Sequence, residues 1–111
     1  MNNRKVCGLM GLALRARQAE AGTDACRILI RSGKCGVLLM DGNAGPNTRK
    51  KAKELCERTQ TPLLVLPGGM IESATGRCNM LLGIRQGGFA DEILRTAQEE
   101  TGNRFVVPDQ E

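Results

Sequence analysis

The sequence predicts a single α/β domain, a three-layer α-β-α sandwich built on a small mixed sheet. Three short runs are apolar throughout, as in strands that are buried on both faces, and they span residues 37–40, 63–66 and 80–84. Amphipathic helical patterns alternate with these runs, and 111 residues suit one hydrophobic core. We expect the domain to occupy residues 1–100, and residues 101–111 to form a loosely held tail.

Residues 5–17 and 23–32 are predicted to form the first two helices. The first has an apolar stripe at helical spacing, formed by Val6, Leu9, Met10, Ala13 and Leu14. In the second, Thr23 or Asp24 is expected to cap the N-terminus, because short polar side chains accept hydrogen bonds from the first-turn N–H groups. Gly33 is expected to end this helix, since glycine readily adopts a positive φ.

Each of the remaining helices follows one of the apolar runs. Residues 48–59 form a helix whose outer face is basic, with Arg49, Lys50, Lys51 and Lys53 directed to solvent. A short helix is expected over residues 70–75, before Gly76. The last helix is expected to begin at Phe89 and to end near Gly102.

The five cysteines argue against both zinc and disulfides. They form no Cys-x-x-Cys pair, their number is odd, and the chain has no histidine to complete a metal site. Most lie in apolar surroundings, where cysteine is a small core residue. We therefore expect a reducing, cytoplasmic environment and no metal or other cofactor. No apolar stretch is long enough to cross a membrane.

The sequence also lacks the usual groups of an enzyme. Without histidine there is no Ser-His or Cys-His pair. Asp41 ends an apolar run, where α/β enzymes place catalytic acids, but it has no evident partner and is better explained as the cap of a turn. Gly68–Gly69 matches neither phosphate-binding loop pattern. We expect a protein that is not an enzyme.

Charge is distributed unevenly along the chain. Residues 1–60 carry 12 basic and 5 acidic side chains, whereas residues 61–111 carry 4 and 7. A basic front half suggests a face for a polyanion. Gly22 precedes the second helix directly, where the first-turn N–H groups and the helix dipole favour a phosphate or a base edge. The same residues could equally serve only to start the helix.

Most of the chain, from Val6 to Leu94, resembles the ribosomal-protein superfamily of L-seven-A-e and L-thirty-e, and looks most like its small bacterial YlxQ-type members. The order and spacing of several marks carry the resemblance. They are the Gly-Leu-Ala-x-Arg-Ala-Arg segment at 11–17, Gly22 before a helix, Ile30-Arg31-Ser32-Gly33-Lys34 before a buried strand, Asn47-Thr48 before a lysine-rich helix, Thr61-Pro62, and Gly88-Phe89-Ala90.

The resemblance implies a partner and a binding face. The partner is structured RNA of the kink-turn type, including ribosomal RNA, and the resemblance also implies association with the ribosome. We expect the protein to bind neither DNA nor a membrane. We also expect it to be a monomer. In such proteins the start of the second helix enters the opened groove, and a loop before the last strand covers a flipped-out nucleotide. Carried onto this sequence, the RNA-binding residues are Gly22, Thr23, Asp24, Arg27, Arg77, Cys78, Asn79 and Met80, with help from Arg15 and Arg17.

Three positions at the second helix depart from the family pattern. Asp24 stands where relatives have asparagine, Ala25 replaces a glutamate, and Ile28 replaces a lysine. The alternative interpretation is a protein-interaction module on the same fold, which would use the 76–82 region or the acidic last helix. A small hydrolase or transferase is a third, less favoured interpretation, because no catalytic group is found.

Overall fold

The computed structural model describes residues 3–100 and 105–106, and side chains for residues 4–97. It confirms the predicted α/β sandwich. The elements in chain order are α1 (Asn3–Arg15), β1 (Ala19–Ala21), α2 (Thr23–Arg31), β2 (Cys35–Asp41), α3 (Pro46–Thr59), β3 (Leu63–Leu66), α4 (Met70–Thr75), β4 (Leu81–Arg85), α5 (Gly88–Glu100) and β5 (Phe105–Val106).

The strands form one mixed sheet in the order β1-β4-β2-β3-β5. The central pair β2 and β4 is antiparallel, and β2 pairs with β3 in parallel. The edge strands β1 and β5 are antiparallel to β4 and β3, respectively. Strand β4 therefore lies between β1 and β2, and this order determines which loops meet at each end of the sheet.

Apolar residues cover both faces of the sheet and produce two cores. Along β2, Val37 and Leu39 contribute to the core shared with α1, α4 and α5. Leu38 and Met40 point to the opposite core, which is shared with α2 and α3. Because neither face of β2 meets water, the strand needs no polar alternation. This explains the unbroken apolar runs in the sequence.

The two ends of α2 differ in how well they could be predicted. Gly33 follows the helix with φ +76°, and the N–H groups of Gly33 and Lys34 donate to the carbonyls of Ile30 and Leu29, as in a Schellman motif. The predicted C-terminal stop is thus confirmed. The predicted N-cap is wrong: Gly22 occupies that position, and among the described residues no side chain caps the helix.

Strands β1 and β5 were not predicted from the sequence. Ala19–Ala21 is only three residues long and lacks the apolar run that marks the central strands. Phe105–Val106 pairs with Leu63 and Leu64 of β3, while the rest of the tail predicted over 101–111 lies outside the described residues. Helix α1 ends at Arg15, two residues earlier than predicted, and Arg17 follows in a left-handed conformation with φ 60°. Within the described residues, no helix is long and apolar enough to span a bilayer.

Two glycine-to-alanine substitutions should have opposite effects on stability. A Cβ at Gly36 would lie 2.6 Å from the Cβ of Ala90 and 3.0 Å from the Cα of Gln86, so Gly36→Ala must push β2 and α5 apart. We expect it to lower the free energy of unfolding by about 1–3 kcal/mol. Gly8 lies exposed within α1 with nothing within 4 Å of its Cβ position, so Gly8→Ala should raise it by about 0.5–1 kcal/mol.

Urea unfolding followed by circular dichroism measures both variants against the unsubstituted chain. Equal stability of the Gly36→Ala variant and the unsubstituted chain would contradict the packing of β2 against the start of α5.

Candidate functional site

The sheet brings the start of α2 beside the loop formed by residues 76–80. Gly22 N–H donates to the carbonyl of Leu81 at 3.1 Å, which joins the end of β1 to the start of β4. Asp41 N–H donates to the carbonyl of Met80 at 2.8 Å, which joins the end of β2 to the same loop. A Cβ at Gly22 would lie 3.6 Å from the Asn79 amide nitrogen. Two segments almost 60 residues apart in sequence therefore form one surface.

The backbone at Gly22 explains why a glycine stands there. Its φ of 102° and ψ of 158° belong to a conformation that L side chains rarely adopt. Helix α2 begins at the next residue, and Gly22 accepts its first backbone hydrogen bond from Cys26 N–H. The remaining first-turn N–H groups have no side-chain cap among the described residues. This end of α2 can therefore donate hydrogen bonds to an anion or a base edge.

Asp24 does not cap α2 but forms an ion pair with Arg27. The Arg27 guanidinium lies 2.5 Å from a carboxylate oxygen of Asp24, one helical turn away. Both side chains are well exposed, so the pair adds at most ~1 kcal/mol to stability. The pair also determines the local charge of the surface, because it places the Arg27 charge beside the first turn and offsets the negative charge of Asp24.

Ile28 projects from the same helix into solvent. Its relative exposure is 69%, the higher of the two large apolar residues found exposed in the described chain. The core of α2 is supplied instead by Cys26, Leu29 and Ile30. Ile28 consequently has no packing role that would prevent a polar replacement.

The 76–80 loop is held by local hydrogen bonds. Gly76 ends α4 with φ +74°, Arg77 N–H donates to the Thr75 hydroxyl at 3.2 Å, and Asn79 N–H donates to the carbonyl of Arg77 at 3.0 Å. Arg77 and Cys78 are exposed. Met80 is half-buried and packs against the core beneath α2 and α3. The loop thus presents one cation and a small thiol while its far end is anchored.

A buried carboxylate supports this surface from behind. Asp41 is 1% exposed and accepts hydrogen bonds from the N–H groups of Asn43 at 2.7 Å and Gly69 at 2.9 Å. The interpretation of Asp41 as a turn cap is confirmed. Because it joins the end of β2 to the turn after β3, it fixes the sheet end on which the 76–80 loop rests.

Comparison with known proteins assigns the chain to a family. It is 30% identical over 90 residues to the RNA-binding protein YlxQ of Enterococcus faecium, covering 80% of this chain and 87% of that protein. The chain belongs to the YlxQ family. It is also 26% identical to the RNA-binding protein YlxQ of Bacillus subtilis strain 168 over 88 residues, or 78% of this chain and 88% of that one. No protein-family model matches.

Two solved structures share the fold of this chain. A Bacillus halodurans protein of unknown function superposes with a TM-score of 0.77 at 28% identity, covering 82% of this chain and 94% of that one. The Giardia lamblia 15.5 kD RNA-binding protein superposes with a TM-score of 0.71 at 13% identity, covering 86% and 87%. At that identity the second likeness shows a shared fold.

The structure separates Arg15 and Arg17 from the other residues predicted for the site. Arg15 ends α1, which packs on the opposite face of the sheet from α2, and it lines a cavity beside α4. Arg17 lines a cavity with Lys34 and Arg85. In this YlxQ member β1 lies between Arg17 and Gly22, so Arg17 stands at the opposite end of the sheet.

Two arginines that the sequence did not indicate line a cavity that begins at Thr23 and leads away from the site. Arg31 and Arg58 line a cavity of about 340 Å³ between α2 and α3, together with Thr23 and Arg27. They are 27 residues apart in sequence and share no motif. Only the packing of α2 against α3 makes them neighbours, so no sequence spacing could have indicated them.

Three thiols are buried beneath α2 and α3. Burial raises the pKa of Cys26 and Cys56 to about 12 and that of Cys35 to about 11. Negative charge on one of these sulfurs would also oppose ionisation of the next. They are protonated thiols at neutral pH and so are poor nucleophiles. All five cysteines lie in the described chain and are free.

Alkylation with a small neutral reagent at pH 8 should distinguish the buried thiols from Cys78. A pKa raised from 9 to about 12 lowers the thiolate fraction of Cys26 and Cys56 roughly a thousand-fold. We expect exposed Cys78 to be modified first and Cys26 and Cys56 last, as read by peptide mass spectrometry. In urea all five should react alike. Modification of Cys26 at the rate of Cys78 in native buffer would rule out the burial described.

Proposed function

We propose that the chain is a non-enzymatic RNA-binding protein that recognises kink-turn or related structured RNA. The RNA would contact the surface formed by the start of α2 and the 76–80 loop. The observation that carries the proposal is the position of Gly22, whose positive φ begins α2 within reach of Asn79. The naming of two YlxQ relatives as RNA-binding proteins supports RNA as the partner.

The chemistry of the surface suits a phosphate or a base edge more than an apolar ligand. First-turn N–H groups donate, the helix dipole is positive at this end, Arg77 is an exposed cation, and Arg27 lies beside the first turn in its ion pair with Asp24. A regular A-form major groove is too narrow for such a helix end. An RNA that opens this groove by a sharp kink would admit it, which is why a kink-turn is the proposed partner.

Arg15 and Arg17 would act differently from the central residues. They lie away from the start of α2, so their charges would attract the RNA or contact its flanking parts. We propose that the protein's partners include ribosomal RNA and that it acts as a monomer in the cytoplasm. The cytoplasmic location is consistent with five free thiols.

Exposed Ile28 favours a second candidate function, the docking of a protein partner on the outer face of α2. Covering an isoleucine that is 69% exposed with an apolar surface would remove apolar area from water, which is favourable. The two functions differ in their response to salt. Phosphate contacts release counterions, so RNA affinity falls steeply with salt concentration, whereas binding through an apolar patch does not.

Restoring the family residues should strengthen binding to a kinked hairpin. Asp24→Asn removes a negative charge next to the phosphates, and Ile28→Lys adds a positive one on a side chain that is already in solvent. We expect each to improve the binding free energy by about 1 kcal/mol, or roughly five-fold in Kd. The melting temperature should change little, because Ile28 is exposed and the ion pair that Asp24→Asn removes is worth at most ~1 kcal/mol. Gel shifts at several salt concentrations measure the effect.

Matched controls are available on other helices. Asp91→Asn removes the same charge from the first turn of α5, and Leu12→Lys adds the same charge at the other large apolar residue found exposed in the described chain. Neither should improve binding specifically to the kinked hairpin. A hairpin with its G·A pairs replaced tests specificity for the kink. If the site variants do not favour the kinked hairpin over this one, kink-turn recognition is refuted.

A further inference from the structure

A basic groove continues from the proposed RNA surface along α2 and α3. Thr23, Asn47 and Thr48 lie at its near end, where both helices begin, and Arg31 and Arg58 lie at its far end, in the last turn of each helix. Helix α2 has nine residues, which makes the groove roughly 14 Å long. The groove therefore begins at a residue of the proposed site and leads away from it.

The rim of the groove is cationic. Its basic residues are Arg27, Arg31, Lys51 and Arg58, and Glu54 is its one acidic residue. Arg31, Lys51 and Arg58 are exposed, and none of them takes part in an ion pair found within the described residues. A cation in the last turn of a helix also interacts favourably with the helix dipole. This interaction gives a structural reason for the presence of Arg31 and Arg58 at these positions. That reason does not extend to Lys51, which lies in the middle of α3.

The floor of the groove is formed by apolar side chains that are mostly buried. Ile30 and Leu38 line it but are only 2% and 1% exposed, because the helices above β2 already cover them. Leu55 also lines the groove and is half-buried, so some apolar surface stays accessible between the helices. The exposed side chains along the rim are mainly cationic, and charges arranged in a row suit the phosphates of a nucleic-acid backbone.

We infer that the groove between α2 and α3 holds the phosphate backbone of one RNA stem adjoining the kink. The inference rests on the proposed function, because the stem must enter from the surface at Gly22. Phosphate contacts of this kind set the position and affinity of the RNA without reading its sequence. The groove residues therefore determine how much duplex beside the kink the protein requires.

The test combines charge removal with shortening of the RNA. Arg31→Gln with Arg58→Gln removes two charges at the far end of the groove. Lys50→Gln with Lys53→Gln is the matched control, since it removes two exposed charges of α3 that do not line the cavity. Each protein is titrated with a kinked hairpin, and each stem of the hairpin is shortened in turn, one base pair at a time, at several salt concentrations.

The groove variant should bind the full hairpin on the order of tenfold more weakly, with a salt slope smaller by about 1.5–2, as for two lost phosphate contacts. Shortening one particular stem should weaken the unsubstituted protein and the control but leave the groove variant nearly unaffected. Lys51→Gln, in the middle of α3, should lower the slope by about one and serves as a second variant if the double substitution lowers the melting temperature.

The results separate the inference from the proposed function. Equal losses for the groove and control variants, or indifference of the unsubstituted protein to the length of both stems, would overturn the groove while leaving kink recognition intact. Failure of the unsubstituted protein to prefer the kinked hairpin over the one without G·A pairs would overturn both.

Discussion

The insertion of β4 between β1 and β2 is the constraint on which the candidate site depends. Pairing with β1 places Gly22 at the carbonyl of Leu81, and pairing with β2 places Asp41 at the carbonyl of Met80. Both bonds lie at the same end of the sheet. Because β4 is buried on both faces, its register cannot slip without turning apolar side chains the wrong way. The geometry of the surface is thus set by packing in the core.

The central fold could be predicted because burial leaves a clear pattern in the sequence. Strands β2, β3 and β4 were indicated by apolar runs, and α1 and α5 by stripes at helical spacing. Strand β1 could not be found this way, since Ala19–Ala21 gains its conformation from pairing with β4 and not from its own composition. The predicted N-cap was wrong because it assumed that a side chain satisfies the first-turn N–H groups, whereas glycine is also a favoured N-cap and is the one found here.

Proximity in sequence was an unreliable guide to proximity in space around the site. Arg17 is five residues from Gly22, yet the extended chain of β1 carries it to the opposite end of the sheet. Asn79 is far from Gly22 in sequence and lies next to it. Arg31 and Arg58 line one groove only because α2 and α3 pack side by side. The residues that the resemblance assigned to the site lie close together in space where the pairing of two strands positions them.

The shortness of β1 has a consequence for the behaviour of the protein at high concentration. An edge strand presents unpaired N–H and C=O groups that can add a strand from another molecule and begin aggregation. Here the edge offers only three residues before Gly22 turns the chain into α2. Glu20, in the middle of it, forms an ion pair with Arg85 at 3.5 Å. A glycine that opens a helix also ends the exposed edge, and so helps to prevent edge-to-edge association.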